Sequence, residues 1–570
     1  MPIRSTENSD FLHTIGFAFL LLLSVVLPFE LKGPLFRVGP LGVTSVEIGI
    51  YLVIVVWILG QLAGKCRVWT AAHTAVAVWA ALLILSALLA SSFRPEALKF
   101  ALRSIGGCVL CFAAAEFVRT PRSAVLVGFA LLGGAILSAA AAPAEVWLPG
   151  AAKFLENFKT GPSLTGSYLR ASATFQYANI ASMYWEAMLP LALTVAAWWG
   201  RREFRKRWWW AGFVCALLLV EAIVLAASRA GILVAALTLT AIMFVSRGAK
   251  DFLRPLAGAS LLSLLLLIII QMASNNLLLL RLTTKDASSW YRAEFDNYPA
   301  QLTLKAGEII QVPLLLRNRG RVTWRAAGRQ SVAVSYHWLD PAAENILIWR
   351  GARSVLPSDV RPGNTVSLNP WIIAPAKPGR YTLQWDMLQE EIAWFSVFGN
   401  GHGYIRVEVL PSAVVQPSPD FPAPVSLPLP STPGRVDLWR AASRMWLQHP
   451  LLGVGPDNFR RLYGSYVGPK SFDDRTYANN QFLEMLATVG LAGTAAFVAV
   501  LIAVALKIRW IWLGASREEF RLLGIGMGAA VAALCVHGLV DCFLPFTSTY
   551  GLFWILAGTA VGLGHAGDSR

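Results

Sequence analysis

The segment PLAGASLLSLLLLIIIQMASN, Pro255–Asn275, contains no charged residue. An α-helix rises about 1.5 Å per residue, so about 20 apolar residues cross the ~30 Å hydrocarbon core of a bilayer. Runs of similar length recur along most of the chain, which is 56% hydrophobic and only 14% charged. The mean hydropathy is +0.54. This pattern excludes an ordinary soluble enzyme and predicts a polytopic α-helical membrane protein.

Twelve segments have this character. They cover approximately residues 11–31, 43–63, 70–91, 98–118, 122–143, 179–199, 208–227, 230–247, 255–275, 482–507, 522–543 and 548–565. The fourth segment contains Arg103. No small-residue cleavage site follows the first segment, Phe11–Leu31, so we expect it to be a retained span and not a signal peptide.

Three loops between these segments are strongly basic: RREFRKR (Arg201–Arg207), RGAKDFLR (Arg247–Arg254) and KIRWIWLGASREEFR (Lys507–Arg521). Twelve spans with cytoplasmic N- and C-termini place all three loops inside, as the positive-inside rule requires. Residues 276–481 then lie on the outer side of the membrane. The lysines and arginines lie mainly in loops between spans, where they set the orientation and meet anionic lipid head groups. The net charge of +16 therefore does not predict a nucleic-acid partner.

The sequence predicts five regions: spans 1–9 in residues 1–282, a β-domain at 291–410, a linker at 411–434, an amphipathic helix and loop at 435–481, and spans 10–12 at 482–570. The β-domain contains short alternating segments such as VAVSYHWLD and GRYTLQWDM, separated by turn signals such as RPGN and KPGR. These features predict an extracytoplasmic all-β sandwich. The proline-rich linker is expected to be a semi-rigid tether.

The β-domain resembles the tryptophan-bearing immunoglobulin-like domains of bacterial surface proteins. Its tryptophans are Trp324, Trp338, Trp349, Trp371, Trp385 and Trp394. We expect most of them to form the core of the sandwich. The alternative is that they stack on sugar rings, as tryptophans do in many carbohydrate binders.

The stretch RVDLWRAASRMWLQHPLLGVGPDNF, Arg435–Phe459, follows the linker. Its apolar side chains fall broadly on one face of a helix, and Arg440 and Arg444 lie one turn apart on another. The helix is expected to end at His449, because the residue before a proline disfavours the α region. Taken alone, the pattern favours an amphipathic helix lying in the membrane interface.

In combination, several motifs resemble the O-antigen ligase and polymerase superfamily. They are the stretch just quoted, ANNQFLEMLATVGLAG (Ala478–Gly493), SRAG (Ser228–Gly231), RASATFQYANIASMY (Arg170–Tyr184), PFELKGP at Pro28 and HGLVDCFLPF at His537. The resemblance implies a GT-C-like membrane glycosyltransferase that polymerises or ligates glycan. Its partners would be an undecaprenyl-pyrophosphate-linked oligosaccharide, a glycan or lipid acceptor, and membrane lipids.

The resemblance also implies a pyrophosphate site built from arginines, since a guanidinium is always charged and can bind phosphate through two parallel hydrogen bonds. A charge near membrane depth is costly and usually functional, which makes Arg229 the strongest candidate. The full set is Arg170, Arg229, Arg435 and Arg440. Alternatives stay open: Arg229 as a side chain that snorkels to lipid, Arg435 as a solvated helix start, and Arg170 as an ordinary loop residue.

The chain departs from the superfamily at the proposed catalytic histidine. Spacing to the glycines that follow places Asn479 there, and asparagine takes up no proton at neutral pH. Glu484 and His449 are the main alternatives for a general base, with Asp473, Asp474 and Tyr477 also near the outer face. The alternatives are that Glu484 is a polar bundle contact and that His449 is a helix cap. The departure favours a polymerase over a ligase.

Two other classes of function stay open. A transporter or flippase for the same lipid-linked glycan would usually show repeated halves with interrupted spans, and this chain shows no evident repeat. A non-catalytic surface glycan binder would explain the loss of the histidine. No metal or cofactor is predicted, because the histidines are scattered and the carboxylates do not pair at ligand spacing.

Overall fold

The computed structural model describes residues 3–38, 41–63, 69–161, 163–165, 168–201, 209–246, 252–274, 277–283, 289–328, 331–349, 351–390, 393–398, 403–411, 434–467, 476–514 and 518–568. The chain divides into two compact units. The helical unit comprises Met1–Ser163, Leu169–Leu278 and Pro433–Arg570. The β-rich unit comprises Leu164–Tyr168 and Leu279–Thr432. The predicted linker and most of the first two basic loops lie outside the described residues.

Helices form nearly all of the first unit. They are α1 (Ile3–Val26), α2 (Ser45–Leu62), α3 (Ala71–Leu88), α4 (Arg94–Phe117), α5 (Pro121–Trp147), α6 (Pro149–Leu155), α7 (Ala178–Arg201), α8 (Trp209–Leu225), α9 (Arg229–Val245), α10 (Leu253–Ser274), then, after α11 (Leu277–Thr283), α12 (Arg435–Gln448), α13 (Phe459–Val467), α14 (Gln481–Gly514), α15 (Glu518–His537) and α16 (Thr547–Asp568). Short strands β1 (Phe36–Val38) and β2 (Leu41–Val43) pair antiparallel. Two more short strands are β3 (Ser163–Thr165) and β4 (Tyr168–Arg170).

Among the described residues, eight helices are long and apolar enough to cross a membrane, namely α2, α3, α4, α5, α7, α10, α14 and α15. Three more apolar helices are shorter: Phe11–Val26, Trp209–Leu225 and Arg229–Val245. The polytopic helical class is therefore confirmed, and α4, which carries Arg103, is one of the eight. Every one of the twelve predicted spans coincides with a helix, but length and hydropathy support eight of them as full spans.

Helix α7 lies at the centre of the helical unit. In the apolar 18-residue segment of α7, 94% of the residues are buried inside the protein, against 22% in the corresponding segment of α10. Neighbours α5, α8, α9 and α15 pack around it. Glu186, the carboxylate on α7, is consequently enclosed by protein, where it needs a partner.

The second unit is the β-rich region that the sequence predicts. Its strands are β5 (Ala293–Asp296), β6 (Gln301–Lys305), β7 (Ile309–Gln311), β8 (Leu314–Asn318), β9 (Val332–Leu339), β10 (Ile346–Ile348), β11 (Ser354–Val355), β12 (Thr365–Leu368), β13 (Trp371–Ile373), β14 (Gly379–Gln389), β15 (Ala393–Trp394) and β16 (Gly403–Leu410). The main sheet has the order β10-β9-β14-β16-β6, and a second sheet has the order β12-β8-β5. Strands β16 and β6 are parallel.

Most tryptophans of the β-rich unit belong to its core. Trp324, Trp338 and Trp385 are among the largest fully buried side chains, and Trp394 is also buried. Trp371 is 47% exposed. Burial of Trp324, Trp338, Trp385 and Trp394 favours the core interpretation over sugar stacking for these four residues.

Candidate functional site

Helix α12 packs on α14. Leu438, Ala441, Ala442 and Met445 are its buried residues. The helix ends as the sequence predicts, with the His449 backbone N–H donating to the Met445 carbonyl at 3.0 Å. Neighbouring helices thus cover much of the apolar face, which the sequence alone assigned to the membrane interface.

The turn that follows α12 docks into a break in α14. Gly490 has φ 67° and ψ −169° inside that helix, a conformation that only glycine adopts readily. The Leu491 N–H donates to the Pro450 carbonyl at 2.8 Å. A Cβ on Gly490 would lie 2.3 Å from the backbone of the turn, and one on Gly453 would lie 2.4 Å from the backbone of Thr488. The HPLLGVG motif and the later glycine are therefore two halves of one contact.

The two asparagines before α14 have different structural roles. Asn479 has φ 50°, a left-handed conformation that asparagine tolerates better than most residues. Its backbone carbonyl accepts a hydrogen bond from the Trp439 indole at 3.4 Å. The Oδ1 of Asn480 accepts from the N–H groups of Phe482 and Leu483, both at 3.0 Å, and so caps α14. These contacts fix the entry to α14 beside α12.

Glu484 lies one turn into α14 and is 6% exposed. Its Oε2 accepts a hydrogen bond from the Ala478 N–H at 2.8 Å. It lines a cavity of about 30 Å³ together with Asp457, Tyr477 and Gln481, which we call the Glu484 cavity. That volume accommodates a water molecule. Burial raises the pKa of Tyr477, and the nearby Asp457 carboxylate acts in the same direction.

Arg170 is held by contacts with two other elements. Its Nε donates to the Ala226 carbonyl at 2.9 Å, and its Nη2 donates to Asn179 Oδ1 at 2.6 Å. Asn179, at the start of α7, in turn donates to Asp541 Oδ2 at 3.0 Å. This relay joins the loop before α7 to the turn between α15 and α16.

Arg229 begins α9 directly after a capping serine. The Ser228 side chain accepts from the Gly231 N–H at 3.3 Å. A Cβ on Gly231 would lie 1.8 Å from Ser182 Oγ of α7, so glycine is required for α9 to approach α7 this closely. Arg229 and Arg435 are near enough to repel each other electrostatically. We call Arg170, Arg229 and Arg435 the arginine cluster.

A buried ion pair that sequence reasoning missed lies beside the arginine cluster. Glu186 of α7 and His537 at the end of α15 are 2.7 Å apart, and both side chains are 0% exposed. His537 also interacts electrostatically with Asp541 and Arg435. His537 begins the HGLVDCFLPF motif, whereas no motif argument pointed to the carboxylate of Glu186. The available signal was two ionisable residues inside apolar segments.

A second unpredicted ion pair anchors the loop that carries Arg170. Lys159 pairs with Glu145 and donates to Ser172 Oγ at 2.9 Å. The Glu145 Oε2 accepts from the backbone N–H groups of Ser172 and Ala173 at 3.0 and 2.6 Å. Burial lowers the pKa of Lys159, and the Glu145 carboxylate opposes that shift. This pair fixes the backbone two residues beyond Arg170.

Two predicted site residues lie apart from these groups. His449 is an exposed helix C-cap. Arg440 is exposed and pairs with Asp437 at 3.2 Å. The remaining base candidates Asp473 and Asp474 lie outside the described residues. In the part of the chain that the structure describes, no group of three or more histidine, cysteine, aspartate or glutamate side chains is arranged to hold a metal ion.

The fold and the site together define a multi-pass membrane protein that gathers arginines and buried carboxylates at one set of loop and helix ends. Residues 392–498 match the model of a family described as O-antigen ligase. This match supports the resemblance to the O-antigen ligase and polymerase superfamily and indicates a ligase- or polymerase-type enzyme acting on lipid-linked glycans. The match includes Arg435, Asn479 and Glu484, whereas Arg170 and Arg229 precede it. No curated protein matches the chain.

Proposed function

We propose that the protein transfers glycan from an undecaprenyl-pyrophosphate carrier to a glycan or lipid acceptor at the outer face of a bacterial cytoplasmic membrane. The observation that carries this proposal is the hydrogen bond from Arg170 to the Ala226 carbonyl, three residues before Arg229, together with the electrostatic interaction between Arg229 and Arg435. Two guanidinium groups that repel each other are stabilised by an anion placed between them. A pyrophosphate head group is an anion of suitable charge at a membrane surface.

The arginine cluster would act on the leaving group. As the acceptor oxygen bonds to the anomeric carbon of the donor sugar, the bond between that carbon and the phosphate oxygen breaks. Its electron pair passes to the pyrophosphate. Fixed cations stabilise this developing charge most effectively when they need no rearrangement. The relay from Arg170 through Asn179 to Asp541 supplies such rigidity.

Glu484 is the base that the geometry supports best. It would take the proton of the acceptor hydroxyl as the new bond forms. Its helix begins on the turn that carries Asp541, because the Gln481 N–H donates to the carbonyls of Gly538 and Asp541 at 2.7 and 3.1 Å. The carboxylate and the arginine cluster are thus tied to the same turn. Asn479 would shape the entry to α14 without moving a proton.

The topology follows from the basic loops. With these loops in the cytoplasm, both termini are cytoplasmic and the β-rich unit is extracytoplasmic. The β-rich unit would be an immunoglobulin-like accessory domain.

The test uses purified protein in detergent, an undecaprenyl-pyrophosphate oligosaccharide as donor, and gel analysis of product length. Arg229→Ala should lower the transfer rate about 100-fold or more, the usual effect of removing one stabilising charge from a transition state. Arg444→Ala is the matched control, since Arg444 lies on α12 and donates to the Tyr466 carbonyl at 3.3 Å, away from the cluster. A ladder of products would indicate a polymerase and a single transfer a ligase. Wild-type rates in Arg229→Ala would refute the proposed role of the cluster.

A further inference from the structure

A second and larger cleft lies in the helical unit. Its volume is about 270 Å³, near the lower end of the ~300–1,000 Å³ typical of small-molecule sites. Polar lining residues are Glu30, Lys32, Arg103, Gln176, Thr547 and Ser548. We call it the Arg103 cleft. Its wall contains parts of the PFELKGP, RASATFQYANIASMY and HGLVDCFLPF motifs, none of which the arginine cluster fully explains.

The polar groups of the Arg103 cleft are held in one network. Arg103 Nε pairs with Glu47 Oε1 at 2.6 Å, and the other end of its guanidinium donates to the Thr547 hydroxyl. The Thr44 hydroxyl donates to Glu30 Oε1 at 2.6 Å, and the Thr44 N–H donates to Glu47 Oε2 at 2.9 Å. The network joins α2, α4 and α16. Such a network presents donors and acceptors in fixed positions before any ligand arrives.

The charge of the Arg103 cleft differs from that of the arginine cluster. Two carboxylates, Glu30 and Glu47, balance two cations, Lys32 and Arg103. A phosphate group would require an excess of cations, whereas sugar hydroxyls require both donors and acceptors. Aromatic rings on the cleft wall, those of Phe158, Phe175 and Phe546, offer surfaces for the carbon faces of a sugar ring. The chemistry fits a neutral, hydroxyl-rich ligand.

The cleft also lies next to the candidate base. Pro545 contributes to the walls of both the Arg103 cleft and the Glu484 cavity. Phe546 of the cleft and Tyr477 of the cavity stack edge to face, with ring centroids 6.1 Å apart. This end of the cleft therefore adjoins the cavity of Glu484.

We propose that the Arg103 cleft binds the terminal sugar of the acceptor, a neutral hydroxyl-rich residue, and directs one hydroxyl toward Glu484. This inference rests on the proposed function, because it assigns the acceptor to one site and the pyrophosphate of the donor to another. Arg103 and Glu30 are binding residues on this account.

Gly33 allows the cleft to be filled with little disturbance. It lines the cleft, and an added Cβ there would meet no atom within 4 Å. Gly33→Phe should therefore occupy the cleft and leave the fold intact. Gly150→Phe is the matched control, since Gly150 on α6 is equally open and is not part of the cleft lining. Glu30→Gln removes one charge and keeps the shape of the side chain.

The probe is the oligosaccharide released by mild acid from the lipid-linked glycan of cells that make it. Its binding to full-length protein in detergent is measured by saturation-transfer NMR. Gly33→Phe should weaken binding at least tenfold, Glu30→Gln should weaken it less, and Gly150→Phe should match wild type. Arg229→Ala should also match wild type, because the lipid-free probe carries no pyrophosphate.

Three results would overturn the inference: no binding to wild-type protein, wild-type binding by Gly33→Phe, or displacement of the oligosaccharide by inorganic pyrophosphate in the Arg229→Ala protein. A different result would refute only the proposed function. If Gly33→Phe loses binding but Arg229→Ala transfers glycan normally, the cleft binds sugar and the pyrophosphate site lies elsewhere.

Discussion

Among the described residues, both units bury a carboxylate–histidine pair, and the two pairs differ in their surroundings. In the β-rich unit, His337 Nε2 lies 3.1 Å from Asp386 Oδ2. Its other ring nitrogen contacts the Trp349 carbonyl, and the ring stacks on Trp349 with centroids 4.3 Å apart. In the helical unit, the Glu186–His537 pair is equally buried. Its outer atoms, Glu186 Oε2 and His537 Nε2, have no hydrogen-bond partner among the described residues.

This difference separates a structural pair from one that adjoins a site. Asp386 has further partners, since its Oδ1 accepts from the N–H groups of Met387 and Ser396. The β-rich pair is therefore saturated and stabilises one strand arrangement. The helical pair adjoins Arg435 and Asp541 and retains hydrogen-bonding capacity. Buried polar groups with spare capacity mark regions where a protein has given up stability for function.

The largest expected effect comes from breaking the helical pair. His537→Leu leaves Glu186 without its partner in a region enclosed by helices, which typically costs about 3–5 kcal/mol. We expect a clear fall in the thermal unfolding midpoint in detergent and loss of glycan transfer. His537→Gln keeps a hydrogen-bond donor and should recover part of both. Full activity and unchanged stability of His537→Leu would show that the pair is dispensable.

A smaller effect on glycan transfer is expected from breaking the β-rich pair. Asp386→Ala removes the acceptor for His337 and for two backbone N–H groups, at a cost of about 1–3 kcal/mol for each group left unsatisfied. The loss should appear in the unfolding of the full-length protein. Glycan transfer by the folded fraction should equal that of wild type. A fall in transfer per folded molecule, larger than the fall in folded fraction, would mean that the β-rich unit participates in catalysis.

Local signals in the sequence predicted a good part of this architecture. The length of the apolar runs located each long helix that the structure describes, and His449-Pro450 set the end of α12. Charge and the SRAG motif made Arg229 a candidate, because an arginine between two apolar runs is conspicuous, and its role stays a prediction. The two buried pairs of the helical unit could not be predicted, since Glu186 and His537 are 351 residues apart and Lys159 and Glu145 lie on opposite sides of α6. Nothing local marks which distant residue will neutralise a buried charge.

The surroundings of single residues depend on tertiary contacts that the local sequence pattern does not contain. Arg440 shares the helix of Arg435 and was predicted to bind pyrophosphate, but its side chain is 68% exposed and pairs with Asp437. The face that α12 presents depends on where α14 lies, and the sequence of α12 does not contain that information. The Arg103 cleft is a similar case, because its network combines residues from α2, α4 and α16.

The smallest effect is expected from Asn479→His, which restores the residue found in the superfamily's ligases. Histidine, like asparagine, is enriched in the left-handed conformation that this position adopts. The contact with Trp439 uses the backbone carbonyl of residue 479, so it survives the substitution. Stability should change by no more than about 0.5 kcal/mol, as for most substitutions away from special features. If Glu484 is the base, the transfer rate should change less than tenfold, while Glu484→Gln should abolish transfer. A gain of about 100-fold in Asn479→His would instead assign proton transfer to position 479. The arginine cluster would then serve a site that has lost its base.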